Sequence, residues 1–294
     1  MNIKFQISLL FLCLLSFSKI NGQEEENLKV YQTFKDTRVI NAHSTETLKA
    51  GHMDFRVTHR FGDIFGPAGG WETFYGLENV TDAMIGLEYG FTDNFMVGIN
   101  RAKGSGPLKS NINGLAKIRL AEQDLNGGLP FSFAVLGLTS ISTMQRSNTE
   151  GVLNFFEKFE HRMSYHAEAL LARKFSNYFS LQLSGAWTYR NIVPSGDQND
   201  LVSIGLASRI QITKALGLIF DGRYVFSDIR TADNGYYPPL GFGIEWETGG
   251  GHVFQINFTN SAGIEQTDYI PYTQSDILDG GVRIGFTISR QFRV

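Results

Sequence analysis

The sequence predicts an all-β chain, an antiparallel up-and-down transmembrane β-barrel of about 12 strands with short periplasmic turns and longer outer loops. Three observations carry that reading. The chain ends on a period of two: Val282, Ile284, Phe286, Ile288, Phe292 and Val294 alternate with Arg283, Gly285, Thr287, Ser289, Gln291 and Arg293. A barrel in lipid needs such a last strand, because it must pair with the first to leave no open edge. Connections between the strands alternate, short after even-numbered strands and longer after odd ones, as periplasmic turns and outer loops do. Aromatic residues form two belts, as two membrane interfaces select. Phe91, Phe95, Phe179, Trp246, Phe254 and Phe292 lie at turn-side ends, and Phe61, Tyr165, Trp187, Tyr189, Tyr224, Phe226 and Phe258 at loop-side ends.

Taken in order, the chain opens with Lys4 and an apolar run from Ile7 to Phe17. That run has the length of a secretory leader and is too short to cross a bilayer. We place the signal peptide at residues 1–22. Cys13 is the only cysteine and lies in the leader, so the mature chain has no disulfide and no thiol chemistry. Two of the 26 basic residues, Lys4 and Lys19, leave with the leader, which gives 24 basic against 29 acidic residues, net −5. No basic tract is present, which argues against a nucleic-acid partner.

Residues 23–52 form a polar N-terminal segment on the periplasmic side, a lead-in to the barrel or a partial plug. His43 and His52 lie there with Asp36 and Glu46 nearby, but no pair has a metal-ligand spacing, so we assign no metal and no cofactor. The barrel occupies residues 53–294. Met53, Phe55, Val57, His59 and Phe61 alternate with Asp54, Arg56, Thr58 and Arg60. Later strands are read over 85–91, 95–99, 111–120, 129–141, 161–173, 179–190, 202–212, 216–226, 240–246 and 254–258, then the final strand. Turns fall at Thr92-Asp93-Asn94, Asp124 to Gly128, Ser176-Asn177, Thr213-Lys214 and Thr248 to Gly251.

The stretch Phe34 to Gly62, FKDTRVINAHSTETLKAGHMDFRVTHRFG, resembles the opening of an uncharacterised bacterial family of outer-membrane β-barrels. Members share a T-R-V-I-N-x-H-S-x-E-T-L lead-in followed by D-F-R-x-x-H-R-F-G. The chain end also resembles the C-terminal aromatic signal of outer-membrane barrels, with Phe292 two residues inside the terminus. The resemblance implies fold and location, and it transfers no functional residue.

Chemistry is then sought in the lumen. By parity the inward candidates are Arg56, Arg60, Glu88, Lys117, Arg119, Arg162, His166, Glu168, Arg209, Asp221, Arg223, Glu245 and Arg283. With Arg293, Asp54 and Glu247 the inward charges are nine basic against six acidic, a mild positive bias. We expect Asp221, Arg223 and Glu245 to form one ion cluster that narrows the bore. About eight strands leave a filled interior and 16–18 an open channel, so twelve suggests a constricted pore. The partners are outer-membrane lipid, the outer-membrane assembly machinery and a small polar or ionic solute. The rival readings are a non-conducting barrel that binds partners through outer loops, and a lipid-modifying enzyme. His59, His161 and His252 face outward while Ser164, Ser180, Ser184, Ser203 and Ser289 face inward. Ser208, outward, neighbours none of those histidines. No Ser–His pair shares a face and a depth, which nucleophile activation requires, so we read the chain as no enzyme.

Overall fold

A computed structural model describes residues 28–66 and 68–294; the expected leader lies outside the described residues. Two short strands come first, β1 (Arg38–Val39) and β2 (Ala42–His43). Twelve long strands follow: β3 (His52–Asp63), β4 (Val80–Thr92), β5 (Phe95–Ala102), β6 (Asn111–Ala121), β7 (Ser132–Ser142), β8 (Met163–Lys174), β9 (Phe179–Arg190), β10 (Asp200–Gln211), β11 (Leu216–Phe226), β12 (Leu240–Thr248), β13 (His252–Thr259) and β14 (Arg283–Arg293). They form a closed barrel in which each strand pairs antiparallel with its neighbours in the chain. β14 closes the ring on β3, setting Phe286 beside His59, Ile288 beside Val57 and Ser289 beside Arg56.

The two faces sort by chemistry because successive strand residues point to opposite sides. Outward positions such as Ile85, Ile99, Ile204, Phe242 and Ile256 are exposed on the lipid side, whereas Asp54, Arg56, Lys117, Glu168 and Gln255 on the other face are buried. Aromatic pairs mark both rims. Phe91 lies 6.0 Å from Phe95 and Trp246 lies 6.1 Å from Phe254 at the turn end, and Trp187 lies 5.7 Å from Tyr189 at the loop end.

One turn departs from the expected pattern. The connection 122–131 is longer than the outer connection 103–110, because β7 starts at Ser132 rather than at residue 129. The extra length has a partner. Lys29 bridges to Asp124, Val30 N–H donates to the Gln123 carbonyl at 2.8 Å, and Leu125 N–H donates to the Leu28 carbonyl at 2.8 Å. The turn is long because it pairs with the incoming N-terminal segment.

That segment, read from the sequence as a periplasmic lead-in or a partial plug, runs inside the barrel. Residues 36–45 are all buried, and they bond to wall residues on every side of the ring: Glu88 of β4, Lys117 of β6, Gln182 of β9, Asp221 of β11 and Gln255 of β13. Phe34, Val39, Ile40 and Ala42 pack on Ala172, Ala207 and Ile219, and Leu48 packs on Met96, Leu115, Leu136 and Leu138. From the other end, the connection between β13 and β14 also turns inward and carries a short helix, α1 (Gln266–Tyr272), buried from Gln266 to Pro271.

Candidate functional site

The lumen is the candidate site, and its centre is where the N-terminal segment meets the outer connection. Arg38 donates to Glu265 at 2.9 Å, and Gln266 Nε2 donates to the Asn41 carbonyl at 3.1 Å. The bore is thus closed from both ends by the chain itself.

The strand opening the barrel holds the segment. Arg56 donates to Asp36 through both terminal nitrogens, at 2.9 and 2.5 Å, and to Asp54 at 2.9 Å. Arg60 donates to Asn41 Oδ1 and to the Ser261 carbonyl, each at 2.9 Å. Glu88 accepts from the Thr37 hydroxyl at 2.9 Å. Lys117 caps the segment's carbonyls at Thr37 (3.2 Å) and Ser44 (3.0 Å). Asp221 accepts from the N–H groups of Asn41 and Ala42, both at 3.2 Å. These bonds matter physically, since a buried charge without a partner is costly.

The expected cluster of Asp221, Arg223 and Glu245 does not form. Asp221 serves the segment, Arg223 pairs with Glu168 and donates to Ser203 at 3.0 Å, and Glu245 accepts from Arg209 at 2.7 Å. Glycines explain why. A Cβ on Gly205 would lie 3.0 Å from Arg223 Nη2, and one on Gly217 would lie 2.9 Å from Arg209 Cζ. The bare backbone lets each guanidinium lie across a neighbouring strand: Arg223 crosses β10 toward β8, and Arg209 crosses β11 toward β12. His166 sits between Thr188 at 2.8 Å and Glu168 at 3.2 Å, completing the Arg223 group.

The other candidates lie at the ends. Arg119 is at the periplasmic rim, bonded to Asn94 and the Asp93 carbonyl, with Glu122 at 3.2 Å. Arg162 is half-buried at the outer end, donating to the carbonyls of Ser142 and Met144 with its guanidinium 4.1 Å from the Phe156 ring centre. Arg283 pairs with Asp63 at 2.8 Å, and Arg293 is exposed at the rim.

Sequence parity could not supply the charges that come from outside the barrel strands: Asp36, Arg38, Glu265 and Asp268. Asp268 accepts from Ser105 N–H (2.8 Å), Ser105 Oγ (3.0 Å) and Gly106 N–H (2.7 Å), and burial outweighs these bonds to push its pKa up. In the outer loops, burial alone would raise Asp197, but the guanidiniums of Arg230 and Arg190 outweigh it and hold its pKa below the ordinary value. The one hint available was the surplus of inward cations, one of which, Arg56, takes Asp36 as its partner.

Several solved structures resemble the chain at low sequence identity. The NanC porin shares 11% identity over 82% of this chain and 100% of its own, with a TM-score of 0.49. The KdgM porin shares 7% over 83% and 99%, with a TM-score of 0.47. An outer membrane channel from Pseudomonas putida F1 shares 13% over 84% and 98%, with a TM-score of 0.48. No curated protein sequence matches the chain. The family model described as "Membrane bound beta barrel domain (DUF5777)" matches residues 34–292, a span that takes in the lumen segment and all twelve barrel strands, and the chain belongs to that family of membrane-bound barrels.

Proposed function

We propose that the protein is an outer-membrane pore for small polar or ionic solutes, held shut by its own residues 33–48. The observation that carries this reading is how the bore is filled. Its wall is polar and ionic, and what occupies it from below is a segment tied to the barrel covalently only at the β3 end. Its bonds to the wall are side-chain bonds that water can replace. A segment so attached can leave without breaking any barrel ladder. Solute would then meet the inward face of β3 to β14, where Arg56, Arg60, Lys117 and Asp221 are released from their partners on the segment.

Bilayer recording on the full mature chain and on a chain lacking residues 28–48 tests this. Folding of each is checked by faster migration on a gel when unheated. The full chain is expected to be closed with rare brief openings, and the shortened barrel to carry steady current. A folded shortened barrel that carries no current overturns the pore.

A second reading has its own support. The outer connections are long and display Phe65, Trp71 and Phe159 at 62–75% exposure, which suits a closed barrel that binds partners through its loops. Absence of current from both chains is the outcome that favours it.

A further inference from the structure

A cavity of about 570 Å³ opens at the periplasmic rim between the N-terminal segment and the wall. One side is Tyr31 to Lys35; the other is the ends of β8, β9 and β10 with the turns after β8 and β10, including Lys174, Tyr178, Arg209 and Lys214. Four cations line it, and no carboxylate does among the described residues. Two of the four have carboxylate partners outside the lining: Arg209 with Glu245 at 2.7 Å and Lys35 with Glu247 at 2.6 Å. Lys174 and Lys214 have none among the described residues.

Donors remain unused there. Lys174 Nζ donates to the carbonyls of Tyr31 (3.0 Å) and Gln32 (3.1 Å), and an ammonium has three hydrogens. Arg209 is only 6% exposed, and its Nη2 is buried with no hydrogen-bond partner among the described residues. A buried donor left unpaired is costly, and the cost is recovered when an acceptor arrives. The size lies within the range of small-molecule sites, which combine aromatic walls with a few placed polar groups. Here the aromatic walls are Phe34 and the exposed rings of Tyr31 and Tyr178.

We propose that this cavity binds a small organic anion with a ring-shaped body, its acid group taken by Arg209 Nη2, Lys174 and Lys214 and its ring by the tyrosines. The site has a consequence that rests on the pore reading. One wall of it is the N-terminal chain that leads into the segment closing the bore, so it exists only when the segment is docked. A ligand that binds one state alone shifts the equilibrium toward that state. A solute accumulated in the periplasm would hold the pore shut, lowering its open fraction about 11-fold at ten times its dissociation constant.

The test is equilibrium dialysis of radiolabelled glucuronate against the full mature chain in detergent, with glucose and acetate as competitors. Glucose presents nearly the same ring without the carboxylate, acetate the carboxylate without the ring, and none of the three enters a micelle. Saturable glucuronate binding is expected, resistant to glucose and displaced by acetate only at much higher concentration. Lys214→Glu should weaken it about tenfold or more, and Tyr178→Ala by less. Both side chains are exposed on turns, so both variants are expected to fold, and gel migration checks it. Absence of saturable binding, displacement by glucose at equal concentration, or unchanged affinity in folded Lys214→Glu overturns the site. Dialysis needs no open pore. A non-conducting barrel that binds keeps the site and loses the pore, and a conducting barrel that does not bind loses only the site.

Discussion

Residues 33–48 and the connection 260–282 fill the same bore, but they are held differently. The outer connection is fixed at both ends, by β13 and β14, and its helix α1 packs Tyr269 and Ile270 on Leu201 and Val225. The N-terminal segment has one covalent end in the barrel. In place of a second it has the backbone pairing of Leu28 to Val30 with the turn after β6, ion pairs of Asp36 with Arg56 and Arg38 with Glu265, and carbonyls capped by Lys117. It also carries more unmet polar groups: both ring nitrogens of His43 and two nitrogens of Arg38 are buried without a hydrogen-bond partner among the described residues. The difference teaches where motion is cheap. On the pore reading proposed above, the outer insert stays with the wall, and the inner segment, held by ion pairs and by the packing of Phe34, Val39, Ile40 and Leu48, is the part that can leave.

The sharpest way to break that comparison is Arg56→Ala. It leaves Asp36 and Asp54 facing each other without their cation, and breaking a buried pair costs about 3–5 kcal/mol where water is excluded. Steady current through the folded barrel and trypsin cleavage at Lys35 or Arg38 are expected. If residues 33–48 stay protected, this pair is not what holds the segment.

Asp268→Ala is the matching cut on the outer insert. It removes the acceptor for Ser105 and Gly106, and hydrogen bonds to a charged group are worth about 1.5–3 kcal/mol. We expect earlier proteolysis between residues 260 and 282 and no steady current. Current equal to that of Arg56→Ala would make the two inserts equivalent gates.

Gly205→Ala probes the wall alone. The new Cβ would sit 2.6 Å from Ser184 Oγ and 3.0 Å from Arg223 Nη2, and overpacking of this kind costs about 1–3 kcal/mol. The temperature at which the folded gel band converts to the unfolded one should fall, with the bore still closed. An unchanged conversion temperature would mean that Arg223 has another route to Glu168.

The smallest effect is acid dependence in the outer loops. Because the folded-state pKa of Asp197 is lowered, its contribution is fully present above its ordinary value of 3.8 and is lost as pH falls through the lowered folded value. Conversion temperatures at neutral pH and near pH 3 should differ more for wild type than for Asp197→Asn. Equal acid sensitivity in the two would assign the acid effect to other carboxylates.

Strands and faces were legible because lipid and lumen impose opposite chemistry on alternate residues, as Ile85, Leu87 and Tyr89 show against Gly86 and Glu88. Partners were harder. Parity states that Arg223 points inward, but which acid it meets depends on the space above Gly205 two strands from Glu168, and on inter-strand register. The N-terminal segment was the least legible, since nothing periodic marks Asp36 to Thr45 as buried. Its burial is decided by wall charges on strands far away in the chain.

The contact of Asp36 with Arg56 and of Asn41 with Arg60 has an evolutionary consequence. The stretch D-T-R-V-I-N (Asp36 to Asn41) and the motif D-F-R-x-x-H-R (Asp54 to Arg60) are facing halves of one joint, and we expect neither to drift alone. Among relatives, a neutral residue at the place of Asp36 should come with loss of the arginine at the place of Arg56, or with a new acid beside it. Relatives that keep that arginine opposite a neutral residue, with no substitute acid, would show that the joint is not under common selection.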